Sequence, residues 1–331
     1  MAASEAARRW LLWGAAAALA LLAPPFCGTY ELYLANLALV NIVLAVGLNL
    51  LTGNAGQISL CHSSFMAIGA YTTTLLAQKT GLSFWLALPA GGIVAMAFGC
   101  LLALPAMRLS GFYLALATLG FLEITQIMIE EFPNLTGGIR GMIASPPTLL
   151  GWRLSSDLAL YYAVMPIVAG LVALARNIQR SPVGRAFDAI RNSALAAQTL
   201  GISPARTKLV AFAIAALYAG LAGGLAAAIV GFIDPVEYGT SASLRHVTFI
   251  VVGGIGSLAG SIVGAVVLTL LPELLRGVHE YGDFVYAALL LGFLILLPKG
   301  LVGLWPMMLR PWRRKRRAGA AAMGAEGRLR S

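Results

Sequence analysis

The feature that most constrains this chain is a series of long apolar segments that carry almost no charge. Residues 30–51, 82–107 and 209–230 are examples, and each is close to the roughly 20 residues that an α-helix needs to cross a bilayer core. Hydrophobic residues make up 59% of the chain and charged residues 11%, whereas soluble domains average about 45–50% and about 25%. The sequence therefore predicts an all-α, polytopic integral membrane protein.

Ten transmembrane segments account for the apolar runs. Eight are expected near residues 10–23, 30–51, 52–78, 82–107, 111–129, 157–175, 209–230 and 284–297. The other two lie between residues 243 and 271, where we expect a sharp turn at a cluster of glycines. The segment 52–78 is also broken by glycine at its polar start, so two regions depart from simple helical spans.

Basic residues fall mostly on one side of these spans. With the N terminus in the cytoplasm, that side receives Arg108, the basic residues of a loop at 176–208 and those of a tail at 310–331. This asymmetry is typical of cytoplasmic loops and explains the net charge of +10 without nucleic acid as a partner. We expect a transmembrane domain over residues 1–309, an extracytoplasmic loop at 130–157, a basic cytoplasmic tail at 310–331, and both termini in the cytoplasm.

The loop at 176–208 is predicted to fold into two short helices. Ser181 precedes a first-turn proline, Ser193 is a cap for a second helix, and Gly201 ends that helix. The first helix has an apolar stripe beside its arginines, formed by Val183, Phe187 and Ile190. We expect a partner protein to dock there; the alternative is a solvated arginine helix that lies on acidic headgroups.

The glycine-broken segments are candidates for the path that a solute would follow. Irregular backbone at membrane depth is tolerated only against protein or a water-filled cavity, although the first segment is also compatible with an ordinary interfacial loop. The candidate path residues are Gly53, Asn54, Gly56, Gln57, Ser59, Glu123, Gly253, Gly254 and Gly256. For Glu123, a structural pairing within the bundle is the favoured interpretation, and His62 is interpreted as a hydrogen-bonded packing residue. The similar position of the two broken segments indicates a duplicated pore-lining unit.

No motif for catalysis, metal binding or ATP binding is visible. The sequence lacks H-E-x-x-H, G-x-S-x-G and G-x-x-x-x-G-K-[ST], and no pair of carboxylates stands at helical spacing inside a span. Uphill transport would therefore draw on an ion gradient or on another polypeptide. The scarcity of carboxylates within the spans argues against ion coupling, and the basic helical loop favours a partner subunit. An ion-coupled transporter using Glu123 or His62, and a membrane enzyme, remain the other classes.

Several segments, in order and spacing, resemble the LivM-like permeases of branched-chain amino-acid ABC importers. They are GLNLLTGNAGQISLCHSSFMAIGAY (47–71), RLSGFYLALATLGFLEI (108–124), TGGIRGM (136–142), SPVGRAFDAIRNSALAAQTLGISPARTKLVAF (181–212) and VVGGIGSLAG (251–260). The resemblance covers about residues 32–304. It implies a permease subunit in a bacterial inner membrane that forms the translocation path by alternating access.

The resemblance also implies partners and a substrate class. The expected partners are two cytoplasmic ABC ATPase subunits, a second, LivH-like permease, a periplasmic amino-acid-binding protein and the lipid bilayer. ATP and Mg would belong to the ATPases, and this chain would bind no cofactor. Branched-chain amino acids are the expected substrates. Urea, short amides or another amino acid remain alternatives, because residues 241–250 place Arg245 and His246 where apolar or small polar residues are expected.

The loop at 176–208 resembles the ATPase-docking segment of ABC importer permeases. Ala196, Ala197 and Gly201 match the A-A-x-x-x-G part of the E-A-A-x-x-x-G signature, but Leu195 stands at the position of its Glu. An acidic contact at that position therefore cannot be carried over. The charges left to anchor a docked ATPase are Arg185, Asp188 and Arg191.

Overall fold

The computed structural model describes residues 24–149, 152–154 and 156–275, together with positions 288, 291–293, 295, 300, 301 and 303. The predicted span at 10–23, most of that at 284–297 and the basic tail at 310–331 lie outside the described residues. Eleven α-helices are present in the described part: α1 Thr29–Leu48, α2 His62–Thr80, α3 Phe84–Ala106, α4 Phe112–Glu131, α5 Pro133–Thr136, α6 Asp157–Arg180, α7 Pro182–Asn192, α8 Ala194–Thr199, α9 Pro204–Val230, α10 Thr240–Gly253 and α11 Leu258–Leu274.

Five segments of the described part are long and apolar enough to cross a membrane. They are Thr29–Asn54, which is α1 continued by a π-helix over Asn49–Asn54, and Phe84–Ala106, Phe112–Glu131, Asp157–Arg180 and Pro204–Val230. The break predicted at the second glycine cluster is confirmed, because α10 ends at Gly253 and α11 starts at Leu258. The 14 residues of α10 extend only about 21 Å, less than the roughly 30 Å hydrocarbon core, so α10 is too short to cross it alone. The total of ten spans stays a prediction.

Helix α9 is the centre of the bundle and packs against α1, α2 and α3. Small residues allow these backbones to approach closely, which is how helices associate in a bilayer where hydrophobic burial supplies little driving force. A Cβ added at Gly69 would overlap the backbone of Gly220, and one added at Gly223 would overlap the carbonyl of Met66. The α2–α9 interface is therefore set by glycine.

The two ends of the bundle carry different structures. At one end, Lys208 at the start of α9 donates from Nζ to the carbonyl of Leu109 at 3.0 Å, which places the turn between α3 and α4 beside the loop that holds α7 and α8. At the other end, strand β1 (Met142–Ile143) pairs antiparallel with β4 (Phe232–Ile233), and β2 (Thr148–Leu149) pairs with β3 (Trp152–Arg153). The loop predicted at 130–157 therefore forms a small cap opposite the basic loop.

The basic loop is shorter than the range 176–208 that the sequence indicated. Helix α6 continues to Arg180, because no glycine or proline lies between Gly170 and Ser181-Pro182, and α9 already begins at Pro204. The predicted caps are confirmed: Ser181 Oγ accepts from the backbone N–H groups of Val183 and Gly184, and Ser193 Oγ accepts from that of Ala196. Gly201 has a φ of 80°, as the end of the second loop helix requires.

Candidate docking loop, glycine junction and cleft

Helix α7 turns most of its apolar stripe inward. Phe187 is fully buried and Ile190 is 6% exposed, whereas Val183 is 39% exposed. A Cβ on Gly184 would overlap the carbonyls of Gln179 and Ile178, so α7 lies tightly against the end of α6. The prediction that a partner docks on this stripe is wrong for Phe187 and Ile190, because these side chains are already covered by their own chain.

The outer surface of the loop is formed by other residues. Arg185 and Asp188, two of the charges proposed to anchor a partner, are exposed on α7, and Ala196 and Gly201 are exposed beyond it. Ala197 is buried at 2% exposure. Two leucines that the sequence analysis did not propose as contacts, Leu195 and Leu200, are 75% and 79% exposed. The sequence did contain one signal for Leu195 that was not used: a large apolar side chain stands where the docking signature has Glu.

Arg191 connects the loop to the first glycine-broken segment. Its Nη1 donates to the carbonyl of Gly53 in the π-helix that continues α1. Nearby, Gln179 at the end of α6 donates from Nε2 to Oδ1 of Asn54 at 2.9 Å. The loop and the end of α6 therefore hold this segment through two hydrogen bonds to residues predicted for the path.

The second glycine-broken segment meets the first at the same place. Gly256 donates its backbone N–H to Oδ1 of Asn49 at 2.8 Å, and its φ of 82° favours glycine. A Cβ on Gly256 would lie 2.9 Å from Nη1 of Arg191, and a Cβ on Gly53 would lie 2.6 Å from the backbone N of Gly256. We call the set Asn49, Gly53, Arg191 and Gly256 the glycine junction. The sequence separates Asn49 from Gly256 by 207 positions, so this meeting was not visible in any local pattern.

Most of the predicted path residues are packed against protein. Gly53, Asn54, Gln57, Ser59, Gly253 and Gly254 are buried, Gly256 is partly buried, and Gly56 is exposed. Gln57 donates to the carbonyl of Ala55 at 3.0 Å, and the Ser59 hydroxyl lies 3.4 Å from Sγ of Cys61. Irregular backbone at this depth is thus accommodated by protein contacts, one of the two settings that a bilayer allows.

An open cleft lies between α4, the 3-10 turn Pro235–Tyr238 and the first turns of α10. Its volume is about 470 Å³, and Glu123 is the candidate path residue that lines it. The Glu123 carboxylate accepts a hydrogen bond from Oγ1 of Thr240 at 2.8 Å. Arg245 forms an ion pair with Glu237 at 3.0 Å across the cleft, and both side chains are more than half exposed. Glu123 therefore has the polar partner that the sequence analysis favoured, yet it also faces open space.

His62 packs as predicted but without the predicted hydrogen bonds. The side chain is fully buried and meets Phe65 edge-on, with ring centroids 6.1 Å apart. Neither ring nitrogen has a hydrogen-bond partner among the described residues. The hydrogen-bonding part of the His62 interpretation is therefore wrong for the described residues, and its packing part is confirmed.

The helical bundle has several apolar spans, two glycine breaks that meet beneath a folded basic loop, and a polar cleft, which together are the features of a polytopic membrane protein suited to transport. The profile of the family described as "Branched-chain amino acid transport system / permease component" matches residues 31–294. This match covers most of the chain, and the chain belongs to that family. It is thus a transport permease with multiple membrane passes, and the resemblance recognised in its motifs is confirmed.

Individual relatives agree with the family match. The chain is 37% identical over 299 residues to the high-affinity branched-chain amino acid transport system permease protein LivM of Escherichia coli strain K12, covering 83% of this chain and 70% of that protein. It is 30% identical over 281 residues to the corresponding permease protein LivH of Salmonella typhimurium, covering 79% of this chain and 90% of that protein. No solved structure matches the chain.

Proposed function

We propose that this chain is a membrane permease subunit of an ATP-driven importer for branched-chain amino acids. The observation that carries the proposal is the 37% identity to LivM over 83% of the chain. The similarity extends to LivH at a lower identity, which supports a second, LivH-like permease as the partner within the membrane. A periplasmic amino-acid-binding protein would deliver the substrate to this pair.

In this proposal, the loop between α6 and α9 docks one of two cytoplasmic ATPase subunits, which bind ATP and Mg. Exposed apolar side chains at Leu195 and Leu200 and exposed charges at Arg185 and Asp188 support a protein contact there, since buried apolar anchors and charged rims are common at interfaces. Docking by exposed leucines replaces the buried stripe as the contact surface. The proposal is supported by Ala196, Ala197 and Gly201, which match part of the docking signature and lie in the same segment as Leu195 and Leu200.

The glycine junction gives the docked ATPase a mechanical route to the path. Arg191 belongs to the loop, and Gly53 and Gly256 belong to the two broken segments, so a shift of α7 displaces both segments together. Alternation between outward-open and inward-open states needs such an element with two arrangements. The gate would then be formed by the glycine-broken segments, which carry most of the predicted path residues.

The same proposal assigns the orientation in a bacterial inner membrane. The loop of α7 and α8 and the turn containing Arg108 lie at one end of the bundle, and the excess of basic residues there supports the cytoplasmic side. Both termini would be cytoplasmic and the cap formed by 130–157 would be periplasmic. Ten spans, including those outside the described residues, fit this arrangement.

Reconstitution with the copurifying partners tests the proposal. We expect leucine uptake into proteoliposomes that requires ATP, both permeases and the binding protein, together with leucine-stimulated ATP hydrolysis. Uptake of urea or short amides instead of leucine would replace the proposed substrate by its alternatives. Uptake driven by an ion gradient in the absence of ATP would refute the proposal in favour of a secondary transporter.

A further inference from the structure

We propose that the cleft between α4, the turn Pro235–Tyr238 and α10 is a binding site for a zwitterionic α-amino acid in transit. Glu123 and Glu237 would receive the ammonium group, and Arg245 the carboxylate. The inference rests on the proposed function, since it names the place where this permease itself holds the substrate.

The depth of Glu123 is the first argument. It lies 11 residues beyond the first residue of α4, or about 16 Å along a helix with a rise of 1.5 Å per residue, near the middle of this 20-residue candidate span. Its side chain is nonetheless exposed on the surface of the chain. An ionisable group at this depth is costly against lipid and almost always faces a bundle interior or a water-filled cavity. The surface around Glu123 therefore faces an aqueous path or another subunit rather than lipid.

The arrangement of charge is the second argument. The cleft contains two carboxylates and one guanidinium, and Arg245 is paired with Glu237. Within the described residues, Glu123 has no basic side chain at ion-pair distance, and Thr240 donates to it instead. A zwitterion supplies a positive group for Glu123 and a negative group for Arg245, which frees Glu237 to share the ammonium. A ligand with a single charge satisfies only one of these groups.

The walls of the cleft fit the rest of such a ligand. Its exposed apolar residue is Val236, which is 74% exposed and so free to cover an aliphatic side chain, whereas Leu122 borders the cleft at only 1% exposure. The volume of about 470 Å³ lies within the roughly 300–1,000 Å³ of small-molecule sites. Gln126 donates to the carbonyl of Pro235 at 2.9 Å, which fixes the turn that carries Glu237 against α4.

Protection of a cysteine in the cleft tests the site without the soluble binding protein. Ser241 lines the cleft and is exposed, so Ser241→Cys is made in a background in which Cys27, Cys61 and Cys100 are replaced by Ala. The permease pair with its ATPases, without the binding protein, is placed in nanodiscs, and maleimide labelling is followed with increasing leucine. Leucine should slow labelling of Ser241→Cys but not of Lys79→Cys, which is exposed at the far end of α2.

Charge variants then identify the recognising groups. Glu123→Gln and Arg245→Gln should each raise the leucine concentration needed for protection roughly tenfold or more, because a charge-assisted hydrogen bond is lost. Glu131→Gln, the same change at the end of α4 and outside the cleft, should leave protection unchanged. 3-Methylbutylamine, which lacks the carboxylate, and 4-methylpentanoate, which lacks the ammonium, should protect poorly.

The possible results distinguish an error in the proposed site from an error in the proposed substrate. Equal protection by leucine in Glu123→Gln, Arg245→Gln and the parent would overturn the inference, and so would protection by either analogue as strong as that by leucine. If no zwitterionic amino acid protects Ser241→Cys while the complete assembly still imports leucine, the proposed function stands and the cleft is not the site. If leucine is not imported but another α-amino acid protects in a charge-dependent way, the substrate is wrong and the cleft is supported.

Discussion

Arg191 offers the sharpest test of how the loop acts on the path. Arg191→Ala removes the hydrogen bond from the guanidinium to the carbonyl of Gly53 and frees the space beside Gly256. The substituted helix keeps its buried anchors Phe187 and Ile190, so we expect α7 to remain folded and the chain to assemble with its partners. The defect should be confined to communication between the loop and the broken segments.

The size of the effect follows from the setting of this hydrogen bond. A hydrogen bond to a charged group contributes about 1.5–3 kcal/mol. Because this one is only partly buried, about 1–2 kcal/mol is a reasonable share, which corresponds to a factor of roughly 5–30 in an equilibrium. A contact that persists unchanged in both transport states shifts nothing. That factor is therefore the largest shift expected between outward-open and inward-open states, reached if the bond exists in one state alone.

The assay measures leucine uptake and ATP hydrolysis in the same proteoliposomes. Arg191→Ala should lower the leucine transported per ATP hydrolysed by severalfold, up to the range above, while recovery of the ATPase on purification stays normal. Arg176→Ala is the matched control, because Arg176 is an exposed arginine near the end of α6, beside the loop and outside both the glycine junction and the proposed docking contacts. An equal decrease in both variants would show that the charge of the loop matters and the glycine junction does not.

Three further predictions concern packing, docking and orientation. Phe187→Asp should destabilise the chain by about 3–5 kcal/mol, because it buries an unpaired charge at a fully buried position; thermal unfolding measures this effect. Leu195→Asp should leave the chain stable and reduce the amount of ATPase that copurifies with it. Gly223→Val should lower the yield of folded chain, since its side chain would overlap the carbonyl of Met66. Single cysteines at Ser193 and Asn134 should be labelled from opposite sides of the membrane, Ser193 from the cytoplasm, as measured with an impermeant maleimide.

Each of these predictions has a defined contrary result. Normal ATPase recovery with Leu195→Asp would remove the exposed leucines from the docking surface. Gly170→Val should be tolerated, because a Cβ added at this helical glycine meets no atom within 4 Å. An equal loss of folded chain with Gly170→Val and Gly223→Val would mean that the low helix propensity of valine, and not packing at Gly223, causes the defect. Labelling of Ser193→Cys from the periplasmic side would reverse the proposed orientation.

The features predicted correctly from the sequence are those that depend on residues close together in the chain. Serine before proline at 181–182 and serine at 193 produce helix starts through their own hydroxyls, and these caps are present as expected. The break after Gly253 likewise depends on a few neighbouring residues. Apolar runs of about 20 residues indicate spans for the same reason, because a bilayer constrains each helix separately.

The features that the sequence did not reveal depend on residues far apart in the chain. An apolar stripe at positions 183, 187 and 190 indicates that this face of α7 is buried, but it does not indicate which protein buries it. In the structure, Phe187 is buried by other parts of its own chain. The contact of Arg191 with Gly53 joins residues 138 positions apart. The cleft likewise combines Glu123 with Arg245, so a carboxylate that suggested a structural pairing in isolation gained an open face only when α10 was placed beside α4.

The positions of the glycine junction and the cleft suggest a division of labour along α10. This helix begins at Thr240, which contacts Glu123 in the cleft, and ends at Gly253, just before the junction with Arg191. Gly256 lies three residues beyond the end of α10. Because a helix transmits displacement along its axis with little deformation, a movement of α7 that shifts Gly256 and with it the end of α10 would be felt at Thr240, about 20 Å from Gly253 at 1.5 Å per residue. The same helix would therefore report the state of the docked ATPase to the residues that we propose hold the amino acid.

On this argument, Gly256→Ala, which inserts a Cβ 2.9 Å from Nη1 of Arg191, should alter leucine protection of Ser241→Cys without changing any group in the cleft. Unchanged protection, with transport impaired, would confine the junction to gating and separate it from substrate binding.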